Sequence, residues 1–178
     1  MNAENPFPKR KPTRLAGFDY NNAGAYFITV CTQSRKNLLS HVVGAIHESP
    51  VIKLTAYGQI LQDILDKIPA RFGVLVDQYV VMPNHIHMIL VITGDAEWRA
   101  IHESPLQERS LISKIVGYLK MNASKRIHDA YGSASVWQRG YHDHIIRNRQ
   151  DYEEHLRYIY ENPMRWYCDE LYAEESEE

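Results

Sequence analysis

The 178-residue sequence predicts an α+β fold: an antiparallel sheet with two helices on one face and a further helix near the C-terminal end. Three observations predict it. Apolar runs rich in β-branched and aromatic residues alternate with stretches whose apolar positions recur at helical spacing. A Pro83-Asn84 pair joins two consecutive apolar runs as a turn. The resulting element order is strand, helix, strand, strand, helix, strand, helix.

The first strand is AYFITVCTQ (25–33), dense in β-branched and aromatic residues and without helical period. LTAYGQILQDILDKIPARF (54–72) places Leu54, Ile60, Leu61, Ile64, Leu65 and Ile68 on one helical face, with Thr55 available as its cap. GVLVDQYVVMP (73–83) and HIHMILVI (85–92) read as two strands. SLISKIVGYLKMNASKRIHDA (110–130) is a second amphipathic helix through Leu111, Ile112, Ile115, Val116, Leu119 and Ile127. VWQRGYHDHIIR (136–147) is strand-like, and RQDYEEHLRYIYEN (149–162) is a last helix ended by Pro163. The first six elements match the split βαβ, or ferredoxin-like, βαββαβ pattern.

Composition bounds the class. Apolar residues make up 44% and charged residues 24%, as in soluble globular proteins. No apolar run approaches the roughly 20 residues of a membrane span, and the N-terminus lacks the apolar core of a secretory signal. Cys31 and Cys168 form no framework, so the expectation is a reducing cytoplasm and one domain over residues 1–178. That domain would carry a basic arm at about residues 1–20 and an acidic tail at 173–178. The net charge of −2 announces no nucleic-acid partner, but Lys9, Arg10, Lys11 and Arg14 cluster at the start. Lys120, Lys125 and Arg126 form a second group, followed by Arg139, Arg147 and Arg149. Ordinary solvated surface accounts for this charge as well as phosphate contact does.

The hexapeptide AIHESP occurs at both 45–50 and 100–105, without a repeat period around it. Each copy is expected between a strand and the following helix, where insertions are tolerated. We read the pair as in-frame insertions of one repetitive DNA element; free divergence at silent positions of the coding DNA would count against that. His47 and His102 are therefore set aside as site residues.

Chemistry concentrates in VMPNHIHMIL (81–90). Residues i and i+2 of a strand share a face, so His85 and His87 project together while Ile86 turns to the other side. Two neutral imidazoles make an open metal site that needs further donors. A second such pair, His142 and His144, sits in the polar stretch GYHDHIIRNR and reads as the rim of a site or a DNA-contacting edge rather than a metal centre. Partly buried structural histidines remain the alternative for either pair. On the last helix the core stripe is Tyr152, Leu156, Ile159 and Pro163. Tyr158 lies about 100° from Ile159 and shares a face with Asn162, four residues on, and with His155 one turn earlier.

VMPNHIHMIL together with VWQRGYHDHIIRNRQDYEEHLRYIYENP closely resembles the REP-associated tyrosine transposases, single-tyrosine HUH transposases named for the His-hydrophobe-His motif, here His85-Ile86-His87. RLAGFDYNNAGAYFITVCTQSRKNLL resembles the family's start, so the likeness covers roughly residues 10–166. The AIHESP segments and the acidic tail depart from the pattern without touching a motif. The resemblance implies a ferredoxin-like fold, single-stranded DNA hairpins from repetitive extragenic palindromes as substrate, and an enzyme that cleaves and rejoins strands. By position it makes His85, His87 and Asn162 ligands of Mg²⁺ or Mn²⁺ and Tyr158 the nucleophile that becomes a 5′-phosphotyrosine, with Glu161 a competing third ligand. Lys9, Arg10, Lys11, Arg14, Trp137, Arg139, Tyr141 and Arg147 are the residues expected to meet DNA through phosphate contact or base stacking. Both a homodimer with the tyrosine helix acting in trans and a monomer acting in cis fit the resemblance. A non-catalytic DNA-binding regulator on the same fold, or a phosphodiesterase without a covalent intermediate, are the competing functions.

Overall fold

The computed structural model describes residues 20–44, 50–93, 109–132 and 135–173. The basic arm with Lys9, Arg10, Lys11 and Arg14, most of both AIHESP copies, and residues 174–178 of the acidic tail lie outside the described residues.

The elements run β1 (Gly24–Cys31), β2 (Ser40–Val43), β3 (Val51–Leu54), α1 (Ala56–Leu65), α2 (Ile68–Phe72), β4 (Val74–Val81), β5 (His85–Ile92), α3 (Leu111–Tyr131), β6 (His142–Ile146) and α4 (Arg149–Glu161). A 3₁₀ segment, Asn162–Cys168, follows α4. The main sheet has the order β4-β5-β1-β6, with every neighbouring pair antiparallel. This is the expected split βαβ order, with β5 inserted between β1 and β4.

The two central strands are buried on both faces, which is why their sequences are continuously apolar rather than alternating. On one face Ile28, Val30, Ile86, Met88 and Leu90 pack against Leu61, Ile64 and Leu65 of α1 and Ile115 and Leu119 of α3. Fully burying each such side chain stabilises the fold by about 1.5–3 kcal/mol. On the other face Phe27 and Ile89 meet Ile159 of α4, with Tyr152 and Leu156 beside it. The two crossover helices thus cover one face as expected, and the C-terminal helix covers the opposite one. A bulge in β4 between Val76 and Gln78 turns Asp77 towards α4, where it accepts a hydrogen bond from the Tyr152 hydroxyl.

The structure departs from expectation in four places. Residues 40–43 and 51–54 form a separate hairpin that the sequence reading missed, because each strand is four residues long. The first AIHESP copy therefore falls between two strands, not between a strand and a helix. The helix expected over 54–72 is two helices: α1 begins at Ala56, capped as expected by Thr55, whose side chain accepts from the Gly58 N–H at 3.2 Å. Pro69 then starts α2, and Gly73 ends it in the left-handed region at φ 59°. Gly58 must lack a side chain, since a Cβ there would stand 2.1 Å from the Leu39 carbonyl oxygen. In 136–147 only His142–Ile146 pairs as a strand, and Trp137 makes an isolated bridge to Thr32. No helix among the described residues is long and apolar enough to cross a membrane.

Candidate active site

Antiparallel register decides what stands beside what. Thr29 of β1 pairs with His87 on one side and His142 on the other, while Cys31 pairs with His85 and Phe27 with His144. Directly opposed residues point to the same face, so all four strand histidines lie on the α4 side of the sheet.

His85 and His87 are almost wholly inaccessible, at 0% and 2% exposure. Their rings are 4.5 Å apart. His85 Nδ1 lies 2.7 Å from Asn84 Oδ1. The Asn84 amide is oriented by its other end, which donates to the carbonyls of Arg35 and Leu171. Its Oδ1 is thus an acceptor, His85 Nδ1 carries the proton, and Nε2 is left bare. His87 Nδ1 lies 2.8 Å from the Thr29 hydroxyl, which can accept from it in the same way. Burial is the main cause that lowers the His85 pKa to about 3 and holds that of His87 well below the usual imidazole value. Both rings are neutral at physiological pH and could serve as ligands, with their second nitrogens already oriented by neighbours.

Asn84 holds this arrangement from a buried corner between β4 and β5. The Pro83 carbonyl accepts from Leu38 and Leu39, and the Asn84 carbonyl from the Thr32 N–H and hydroxyl. The expected turn is therefore a hub inside the protein rather than a solvent loop.

The 3₁₀ segment closes the site. Asn162 is 1% exposed; its Nδ2 donates to Asp169 Oδ2 at 2.9 Å, so Oδ1 is the free end. His85 Nε2, His87 Nε2 and Asn162 Oδ1 are all buried with no hydrogen-bond partner among the described residues. Unpartnered buried acceptors carry a desolvation penalty of about 1–3 kcal/mol each, so these atoms fit an electropositive partner such as a metal cation. The Asp169 carboxylate joins both imidazoles in a group that could hold a metal ion, with ligand atoms all within 4.8 Å of one another.

Tyr158 is 39% exposed and faces this group. Its ring meets that of His87 edge-on, centroids 5.0 Å apart, within one chain. Its hydroxyl donates to Asp169 Oδ2 at 3.3 Å. Burial first, then the Asp169 charge, pushes the phenol up to about 12. A cavity of about 550 Å³ opens here, lined by Tyr158, His87, Thr29, His142, His155 and Asp169 among others. His142 reaches this rim. The competing ligand Glu161 instead pairs with Arg165 at 2.6 Å.

Asp169, Thr29, Asn84 and Arg35 join the site without being among the residues predicted from sequence. Arg35 lines the cavity and donates to the Glu170 carbonyl, from a backbone at φ 54° that only a determined local structure holds in a non-glycine residue. Asn84 had a signal, lying in the motif itself; Thr29 and Asp169 had none, since strand register and the path of the 3₁₀ segment bring them in.

The residues expected to meet DNA are less concentrated. Arg139 and Arg147 are exposed, whereas Trp137 is buried in the core cluster with no open face for a base. The Tyr141 hydroxyl is bonded to Ser113. Lys120 donates to the Gln138 and Gly140 carbonyls, and Arg126 and Lys125 pair with Asp63 and Asp129. Tyr160 is exposed on α4.

The chain matches no protein-family model. It is similar to an uncharacterized protein of Haemophilus influenzae, 30% identical over 176 residues, which span 93% of this chain and 94% of that protein. A REP-associated tyrosine transposase of Escherichia coli is 26% identical over 151 residues, covering 82% of this chain and 70% of the relative. Among solved structures, a REP-associated tyrosine transposase bound to a REP hairpin superposes with a TM-score of 0.55 and 24% identity, over 80% of this chain and 68% of that one. This likeness shows a shared fold over the superposed part.

Proposed function

The chain belongs to the REP-associated tyrosine transposase family, and from that premise we propose that it cleaves and rejoins hairpin-bearing single-stranded DNA through a covalent 5′-phosphotyrosine on Tyr158. The observation that carries the reading is the grouping of His85, His87 and Asp169, with ligand atoms within 4.8 Å of one another, beside a part-exposed tyrosine and an Asn162 amide bonded to the same Asp169. The hairpin carried by the related solved structure supports the substrate class.

His85 Nε2, His87 Nε2 and Asn162 Oδ1 would hold a divalent ion, Mg²⁺ or Mn²⁺ by the mixed nitrogen and oxygen donors, with Asp169 alongside. Bound there, such an ion supplies positive charge to the scissile phosphate and its departing oxygen. The chain's own residues do the rest. Tyr158 attacks phosphorus in line, and its proton passes to Asp169 Oδ2, which already accepts its hydrogen bond. The 3′-oxygen departs as a free hydroxyl, and attack by a 3′-hydroxyl on the phosphotyrosine rejoins strands without a nucleotide energy source. Arg35 at the cavity rim can steady the phosphate. Because Tyr158 meets His87 of its own chain, one protomer contains a complete set of groups for cis attack.

The test incubates the protein with labelled hairpin single strands and Mg²⁺ or Mn²⁺ and looks for a denaturant-stable protein–DNA adduct. Wild type is expected to form it and Tyr158→Phe to lose it entirely. Binding without cleavage, cleavage without adduct, or an adduct that persists in Tyr158→Phe would overturn the reading.

A further inference from the structure

The strand-transfer reading leaves one group at the cleft without a task. His155 lies one turn before Tyr158 on α4 and lines the same cavity. Its Nδ1 is 2.8 Å from the Asp151 carbonyl oxygen and 3.1 Å from Asp151 Oδ1. Both are pure acceptors, so Nδ1 bears the proton and the neutral ring's basic nitrogen is Nε2. That Nε2 makes no hydrogen bond among the described residues. The ring is clamped between Phe27, centroids 4.6 Å apart, and His144, stacked at 4.5 Å. Asp151 is fixed in turn by the Arg147 N–H at 3.0 Å and by His144 Nε2 at 3.0 Å. A carboxylate that fixes the tautomer of an imidazole lining a reaction cleft is the arrangement that proton transfer requires.

We propose that His155, oriented by Asp151, is the catalytic residue that gives a proton to the departing 3′-oxygen in cleavage and takes it back from the attacking 3′-hydroxyl in rejoining. This rests on the strand-transferase reading above. The step balances: the Tyr158 Oη–P bond forms and the P–O3′ bond breaks with its electron pair on O3′, which takes the proton from His155 Nε2–H. The phenolic proton goes to Asp169, so the chain's charge shifts from imidazolium and carboxylate to neutral imidazole and carboxylic acid. Rejoining reverses each transfer. The Asp151 carboxylate offsets the imidazolium charge while the second proton is held. Other ionisable groups face the cleft: Glu154, His142, Arg35, His87, Asp169 and Glu170. Of the other groups there that could give a proton, Glu154 is occupied by the Gln150 amide at 3.0 Å, and neither it nor His142 is seen held by a carboxylate as His155 is.

The test compares two hairpin substrates under single turnover, one natural and one with sulfur replacing the bridging 3′-oxygen at the linkage that wild type cuts. A thiolate leaves without a proton donor. His155→Gln should form adduct about 10²–10⁴-fold more slowly than wild type on the oxygen substrate. On the sulfur substrate it should lag by less than about fivefold, which also shows that the variant is folded. Asp151→Asn should show the same selective loss, to a smaller degree. Equal slowing on both substrates, or undiminished activity on the oxygen substrate, overturns this assignment alone. A wild type that forms adduct with neither overturns the strand-transferase reading and this assignment with it.

Discussion

Two histidine clusters lie on the same face of one sheet, and their surroundings give them different chemistry. His85 and His87 stand on central strand β5, each with Nδ1 next to an uncharged side-chain oxygen and with Nε2 buried and unpartnered. His144, on edge strand β6, and His155 of α4 stack over Asp151 and share its carboxylate, His144 remaining 47% exposed on its side chain. The sequence writes the two strand pairs alike, as His-x-His. A central strand with neutral partners desolvates its imidazoles and leaves their Nε2 atoms unpartnered, whereas an edge strand beside a carboxylate ties His144 into hydrogen bonds, although His144, Asp151 and His155 also have donor atoms close enough to hold a metal ion.

The contrast breaks most readily at the metal. His87→Ala is expected to weaken Mn²⁺ binding, followed by calorimetric titration, by more than about 100-fold, since a ligand counts for more than the groups that orient it. His144→Ala should leave that affinity within about twofold, and equal losses would erase the distinction. Thr29→Val should cost about 10–100-fold in the same titration, because it removes the hydroxyl that orients His87.

Acid sharpens it next. The buried His85 takes up its proton only near pH 3, whereas the unfolded chain takes it up near pH 6.5. Between those values the unfolded state binds more protons, so stability falls as pH falls. The slope approaches about 1.4 kcal/mol per pH unit for each such imidazole. Urea melts of metal-free protein at pH 7, 6, 5 and 4 should trace this decline, and His85→Gln should make it shallower, with buried His87 supplying the remainder. The smallest effect is on the rim: His144→Ala should change the melting free energy at pH 7 by less than about 1 kcal/mol, as expected for a half-exposed pair.

Much of the fold was legible because its signals are local. The periods of 110–130 and 149–162 place α3 and α4 to within a residue or two. The β2–β3 hairpin was not, since eight residues in two short strands give no periodicity to read, and the break at Lys67-Ile68 is set by α2 turning back towards β4. At the site, spacing alone put His85 beside His87 and Tyr158 on a face with Asn162. It could not say that the two faces meet.

The sequence by itself determined which candidate residues share a face and the elements that hold them, because side-chain direction within a strand or helix follows from its period. Tertiary structure decided three things. Strand register brought Thr29 to His87, and the buried Pro83-Asn84 corner turned His85 Nε2 free. The turn of the 3₁₀ segment carried Asp169 back to Tyr158 and Asn162, seven residues beyond the last residue of the helix face. Each is a contact between segments far apart along the chain or across an irregular turn. No local period encodes such a contact; packing of α4 onto the sheet through Phe27, Ile89 and Ile159 fixes it.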